Sequence, residues 1–297
     1  MADNSFAHVL RTHNQAWIGA KIGGYTIRQL LGSGGAGAVF KATHDSLATT
    51  AALQLFFPLN ASSERLIGVT IRAIRALASL RHTGIAELYD FGFVDAGRFK
   101  CPYLVHECIS GEDLFSWCRR NRPTEHERIR IALGMAEALY ASHKCKFIGE
   151  YGFQQTGIAV DRSPVLVDFM VPDLQRMRAH SSTEDQLRGW RKTDGEYRYF
   201  DRSTAWFGTP GYMPPGQEVD GIVTTASGVF GLGRTFERLL WERPVEHVMA
   251  FEEEEEMATP WASLVHKMVL PQPNDRPSME EVLRTMRGLS TSGSSAS

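Results

Sequence analysis

Three patterns of hydrophobic and polar positions follow one another along the chain. From Tyr25 the apolar residues come in short runs, Tyr25–Leu31, then Ala38–His44 beyond a glycine cluster, then Thr49–Phe57, which predicts hairpin-linked antiparallel strands. Ser62–Leu80 switches to helical spacing, with Leu66, Val69, Ile71, Ile74, Leu77 and Leu80 on one stripe, and two further strand runs follow at Ile85–Phe93 and Cys101–Ile109. Beyond Glu112 the pattern predicts helices over 112–120, 125–146, 222–241, 259–269 and 278–287, the last begun by Pro277 and Ser278. Residues 1–22 and the small polar run 290–297 carry little pattern and read as peripheral. The expected organisation is an α+β chain in two lobes: an N-terminal extension over 1–23, a strand-rich lobe over 24–109, a helical lobe over 110–289 and a disordered tail over 290–297. The lobes join near 107–112, and the cleft between them is the default ligand site.

Composition narrows the partners. With 297 residues and 43% hydrophobic side chains the chain can bury sizeable cores, and a formal net charge of −2 supplies no basic field for phosphate backbones, so nucleic acid is not an expected partner. The four cysteines form no CxxC pair and no apolar run reaches the length of a spanning helix, which points to a reducing cytoplasm without membrane insertion. The five-residue acidic run Glu252–Glu256 reads as a solvated face.

Leu31–Val39 holds Gly32, Gly34 and Gly37 in a GxGxxG spacing, followed by Val39, and lies between two strands. A dinucleotide-binding turn requires a helix after the glycines, whereas a strand–glycine loop–strand hairpin is how protein kinases cover ATP phosphates. Taken alone, a hairpin that needs positive φ uses glycine as well. Further segments arrive in kinase order: Ala51-Ala52-Leu53-Gln54, Leu80-Arg81-His82, Leu88–Gly92, Val167-Asp168-Phe169-Met170, Gly208–Pro215, Val229–Gly233 and Asn274-Asp275-Arg276-Pro277. Over residues 24–289 the chain resembles a bacterial, eukaryotic-like (Hanks-type) Ser/Thr protein kinase domain. The resemblance implies a five-stranded antiparallel N-lobe with one αC helix, a hinge and a mainly helical C-lobe. It also implies ATP and Mg²⁺ as cofactors, a nucleotide-binding set of Gly32, Gly34, Gly37, Val39, Ala52, Gln54, His106 (the gatekeeper), Glu107, Ile109 and Asp168, and Asp168 as the metal ligand. Glu107, Cys108 and Ile109 are the hinge positions whose main chain would pair with adenine.

Several charged positions of that pattern are lost. Gln54 stands where the phosphate-holding lysine belongs, and no lysine occurs between Lys41, expected to face solvent, and Lys100. Ala73 occupies the place of the lysine's glutamate partner. Counting from either side puts the catalytic base position on Tyr151 or Gly152 and the second metal-binding position on Thr156 or Gly157; either way residues 144–160 contain no Asp and no Asn, and Glu150 is the one carboxylate there. Gly216 replaces the glutamate that pairs with Arg276, and Gly228 the aspartate that braces the catalytic loop. Phosphoryl transfer is mostly positioning and charge neutralisation, so these losses predict a pseudokinase that binds ATP weakly, with less dependence on Mg²⁺, and acts through a protein partner. The expected docking face is the 172–207 segment, where arginines alternate with Trp190, Tyr197, Tyr199 and Phe200, together with αC. Two other readings stand beside it: an atypical active kinase with Glu150 as base and Asp168 on the metal, or a purely structural module that binds no nucleotide, its cleft filled by Phe, Met or Trp side chains; separately, Asp168 also reads as a turn acceptor and His106 as a core histidine.

Overall fold

A computed structural model describes residues 14–33, 37–56, 59–60, 71, 74–96, 99–145, 150–151, 156–159, 161, 163–167, 169–170, 192–193, 196–197, 211–215, 224–241 and 259–292. The chain divides into two compact units, one of residues 1–81, 86–108 and 171–183, the other of 82–85, 109–170 and 184–297.

The first unit is built on an antiparallel sheet. Its strands are β1 (Lys21–Ile22), β2 (Tyr25–Ser33), β3 (Gly37–His44), β4 (Thr50–Phe56), β5 (Leu59–Asn60), β6 (Leu88–Ala96) and β7 (Phe99–Glu107). They pair in the order β1-β2-β3-β4-β7, with β5 and β6 both on β7. Five strands were expected; the two-residue β1 and β5 extend the ladder to seven among the described residues. Period-2 alternation sends Ile27, Ala38, Phe40, Ala42, Ala51, Leu53, Leu55, Cys101, Tyr103 and Val105 into one apolar core. The segment before Tyr25 is less peripheral than its sequence suggests. A 3₁₀ turn at Asn14–Trp17 leads into β1, Ile22 is buried, and Trp17 and Ala20 pack against that core. The Asp45 carboxylate accepts from Lys21 at 2.8 Å and from the Thr26 hydroxyl, pinning the β1–β2 turn to the β3–β4 turn. Of the helix expected over Ser62–Leu80, residues 74–79 are helical with Ile74, Leu77 and Leu80 buried, while 61–70 and 72–73 lie outside the described residues.

The second unit carries helices α1 (Leu114–Asn121), α2 (Glu125–Lys144), α3 (Thr225–Trp241), α4 (Pro260–Met268) and α5 (Met279–Ser292). Each start has a local cause. Asp113 caps α1 by accepting from Ser116 N–H at 2.9 Å, Thr124 and Glu127 form a reciprocal capping box on α2, and Thr259 caps α4 with Pro260 as its first residue. Ser278 and Glu281 repeat the box ahead of α5. That helix runs on to Ser292, so residues 290–292 belong to it rather than to a tail: Met279, Val282, Leu283 and Met286 bury one stripe and the helix continues past it. α2 packs against α3 and α5, and α4 against α3 and α5.

Helix α3 is buried on nearly every side, as a central helix must be. Its crossing with α4 is close enough that a Cβ on Gly233 would stand 2.8 Å from Met268 Cβ and 2.9 Å from Val269 Cγ1. We therefore expect Gly233→Val to force the two helices apart and cost about 1–3 kcal/mol by overpacking, read as a lowered midpoint in urea unfolding followed by circular dichroism. Wild-type stability would mean the crossing has slack.

Candidate functional site

Cross-strand pairing sorts the expected site residues. Val39 lies opposite Gln54, and Gln54 opposite Leu104; one step along, Lys41 lies opposite Ala52, and Ala52 opposite His106. Partners across a ladder point to the same side, so Val39, Lys41, Ala52, Gln54, Leu104 and His106 share the face away from the Phe40–Leu53–Val105 core. Gly32, opposite Val39 on β2, is exposed, and Gly37 opens β3 where a Cβ would meet the Leu55 carbonyl oxygen at 2.1 Å, a close backbone approach that only glycine permits. Gly34 lies outside the described residues. The ladder slips near Leu31, which is 49% exposed.

Ala52 and Gln54 are buried on this face, and Lys41 is exposed upon it. Its solvent exposure is as expected, but it is also the one lysine on the face, and its charge is felt by the Cys108 thiol, which burial nonetheless holds above its usual range. Lys41 stands two residues from Val39, and the same parity that marks Val39 marks Lys41; that signal was present in the sequence. His106 is 3% exposed and its ring Nδ1 lies 3.0 Å from the Glu107 carbonyl oxygen, so the nitrogen donates. Burial drives its pKa down to about 4. The Glu107 N–H donates to the Glu87 carbonyl at 2.8 Å. No sequence signal reports either contact.

The second unit holds the remaining positions. After the hinge, β8 (Gly111–Asp113) pairs with β10 (Gly157–Ala159), which also pairs with β11 (Pro164–Val165). Ile109 lies over the start of β10, its Cγ2 3.5 Å from where a Cβ on Gly157 would be. Thr156 is fully buried and its carbonyl accepts the Leu114 N–H at 2.8 Å. Glu150 and Tyr151 form β9, which pairs with β12 (Phe169–Met170), Glu150 opposite Met170. The backbone thus sets Glu150 beside the strand that follows position 168; Asp168 itself lies outside the described residues, as does Gly216.

Two supports have been rebuilt without acids. Arg276, 7% exposed, donates to the carbonyls of Leu270 at 2.7 Å, Ala226 at 2.9 Å and Pro271 at 2.7 Å, and stacks over the Phe230 ring. A Cβ on Gly228 would lie 3.1 Å from His143 Nε2 on α2, whose pKa burial drives down to about 4. A neutral imidazole therefore faces the place that the resemblance gives to an aspartate. In α3, Arg234 and Glu237 form a buried ion pair, and Arg234 Nε donates to the Gly211 carbonyl at 2.9 Å, tying the 211–215 segment to the helix. Burial pushes Glu237 up to about 7 against the pull of Arg234.

Val39, Ala52 and Leu104 make up the apolar part of this sheet face. Gln54 donates a hydrogen bond but no charge, and the described residues hold no cluster of three or more His, Cys, Asp or Glu side chains able to bind a metal. All four cysteines are free thiols, and burial pushes Cys101 up to about 12, which leaves it inert. No helix among the described residues is long and apolar enough to cross a membrane.

Comparison with known proteins agrees with this architecture. Residues 25–149 match the protein kinase domain model, a span that ends one residue before Glu150. The chain is 26% identical over 223 residues to the DNA damage-responsive serine/threonine-protein kinase RqkA of Deinococcus radiodurans, covering 75% of this chain and 30% of that protein. It is 26% identical over 211 residues to the serine/threonine-protein kinase pkn3 of Myxococcus xanthus, covering 70% of this chain and 36% of that one. With the serine/threonine-protein kinase PknA of Mycobacterium tuberculosis it shares 29% over 176 residues, 52% of this chain and 40% of the relative. The chain thus spans between 30% and 40% of the length of these relatives.

The buried titratable groups set a pH dependence. His106 and His143 hold depressed pKa values near 4, so between pH 6.5 and 4.5 the unfolded chain binds more protons at these sites and stability falls as the solution is acidified, by about 2 kcal/mol for each. Glu237 has the opposite sign: its raised pKa adds stability as pH falls from 7 towards 4.5. Urea unfolding across this window should show Glu237→Gln losing stability on acidification more steeply than wild type; parallel curves would mean that Glu237 titrates normally.

Proposed function

Taking as premise that the chain carries a Hanks-type protein kinase domain, with the strand-rich and helical units of that fold, we propose that it is a pseudokinase. It transfers phosphate poorly or not at all, binds nucleotide weakly on the Val39–Ala52 face, and works by engaging a protein partner. The observation that carries this reading is Gln54: 5% exposed and set between Val39 and Leu104, it fills the lysine position with a neutral amide. Ala73 removes the matching acid, so a lysine at 54 would be a buried charge without its partner, and the pair has been lost as a unit. The absence of Asp and Asn from 144–160 removes the base, an effect worth about 10²–10⁴-fold in rate. The three relatives named are serine/threonine-protein kinases, and transfer of a γ-phosphate from ATP is the activity that this chain has the parts to have lost.

The 172–207 segment, with its interleaved arginines and aromatics, is the proposed docking region; within it Lys192-Thr193 and Glu196-Tyr197 pair as a short hairpin. The reading places the protein in the cytoplasm and gives it neither nucleic acid nor membrane as a partner.

Transfer of labelled γ-phosphate from ATP to the protein itself and to a basic substrate peptide, followed over hours for wild type and Asp168→Ala, tests the reading. Equal background for both is expected. Wild-type signal clearly above Asp168→Ala would instead support an active enzyme using Glu150 as base.

A further inference from the structure

Phe115 and Arg238 meet on the helical unit in a contact that none of the roles assigned above uses. Arg238, partly exposed in the last turn of α3, lies with its Cζ 3.6 Å from the centroid of the Phe115 ring on α1, and its charge reaches the Tyr212 hydroxyl. A guanidinium laid on a ring face keeps its N–H donors around its edge, held flat for a carboxylate. Spacings of four and three residues put Phe115, Arg119 and Arg122 on one stripe of α1, with both arginines exposed, so Arg238 joins a row of cations that crosses two helices.

The acids of this stretch are already committed. Residues 111–130 hold five arginines and four acids, but Glu112 pairs with Arg120, Asp113 caps α1 and Glu127 closes the capping box of α2, which leaves Glu125. Glu237, on α3, pairs with Arg234. Among the described residues Arg119, Arg122 and Arg238 make no ion pair; Arg119 donates to the Ser116 hydroxyl at 2.8 Å. This face is therefore locally positive on a chain whose formal net charge is −2.

We propose that the row Arg119, Arg122 and Arg238, seated on Phe115, is a docking surface for an acidic linear segment of a partner protein, an inference that rests on the partner-binding reading above and supplies that partner's chemistry. Carboxylates spaced along an extended segment meet these donors in turn, and the stacked Arg238 loses little freedom on binding. Each arginine also suits the helix C-terminus it occupies, and Arg238 covers Phe115, so peptide affinity rather than stability separates the two roles.

Fluorescence anisotropy of a labelled poly-glutamate peptide of about ten residues, titrated with the full chain at low salt and without nucleotide, tests this. Wild type should bind it and should not bind poly-lysine of the same length, with affinity falling as salt is added. Arg238→Met, which keeps a cover over Phe115, and Arg119→Ser should each weaken binding about two- to fivefold, and the triple variant Arg119→Ser, Arg122→Ser, Arg238→Met about tenfold or more. Arg284→Ser, an exposed position on α5 outside the row, should match wild type. No binding by wild type up to about 1 mM overturns the inference, as do wild-type affinity in a folded triple variant and an equal loss in Arg284→Ser. Tighter binding of an oligouridylate of matched charge overturns it as well, by making the row a reader of phosphates. Should Arg238→Met not fold, the exposed pair Arg119→Ser and Arg122→Ser decides alone. None of these outcomes depends on phosphate transfer, so the pseudokinase reading stands or falls separately, with the labelled γ-phosphate assay.

Discussion

Strand β4 is hydrogen-bonded on both edges, and its side chains from Ala51 to Phe56 are buried on both faces. That double burial organises the rest of the sheet unit. It forces strict alternation, with Ala51, Leu53 and Leu55 in the apolar core and Ala52 and Gln54 on the opposite face; a slip of one residue would exchange the two sets. Register is therefore pinned by the hydrophobic residues, and the positions of Val39, Gln54 and His106 follow from it without any ligand to place them.

The same burial bears on which residue position 54 can hold. An ammonium at position 54 would sit in a nearly dry environment, tolerable only with a carboxylate opposite. Once the acid at 73 is alanine, a neutral amide is the least costly polar residue there. The helical unit shows the same economy of acids. Arg276 keeps its place by donating to three main-chain carbonyls and stacking on Phe230, with no acid at 216. His143, neutral, faces Gly228. The one buried acid–base pair found in α3, Arg234 with Glu237, binds the 211–215 segment to the helix and is a feature of scaffold rather than of chemistry.

Much of this was legible in the residues. The strand runs, the helix stripes and the start signal at Ser278 are local, because alternation, 3.6-residue spacing and capping depend on neighbours a few positions away. That Gln54 is neutral and that 144–160 hold no Asp or Asn are likewise matters of identity and order. Segment ends were less so. α5 runs on to Ser292, beyond its buried stripe, and Trp17 to Ile22 join the sheet unit because Trp17 and Ile22 find apolar partners there.

Sequence alone determined which chemistry this protein has the groups for: a glycine hairpin, a neutral residue at 54, no acid or amide ligand where a base and second metal site would be. Only the tertiary structure decided what those groups touch. That Lys41 shares a face with Gln54, that the His106 ring donates to the Glu107 carbonyl, and that Arg276 is satisfied by carbonyls from residues up to fifty positions away are consequences of strand register and helix crossing. Such contacts are set by the whole packed backbone, whose geometry no short stretch of residues encodes.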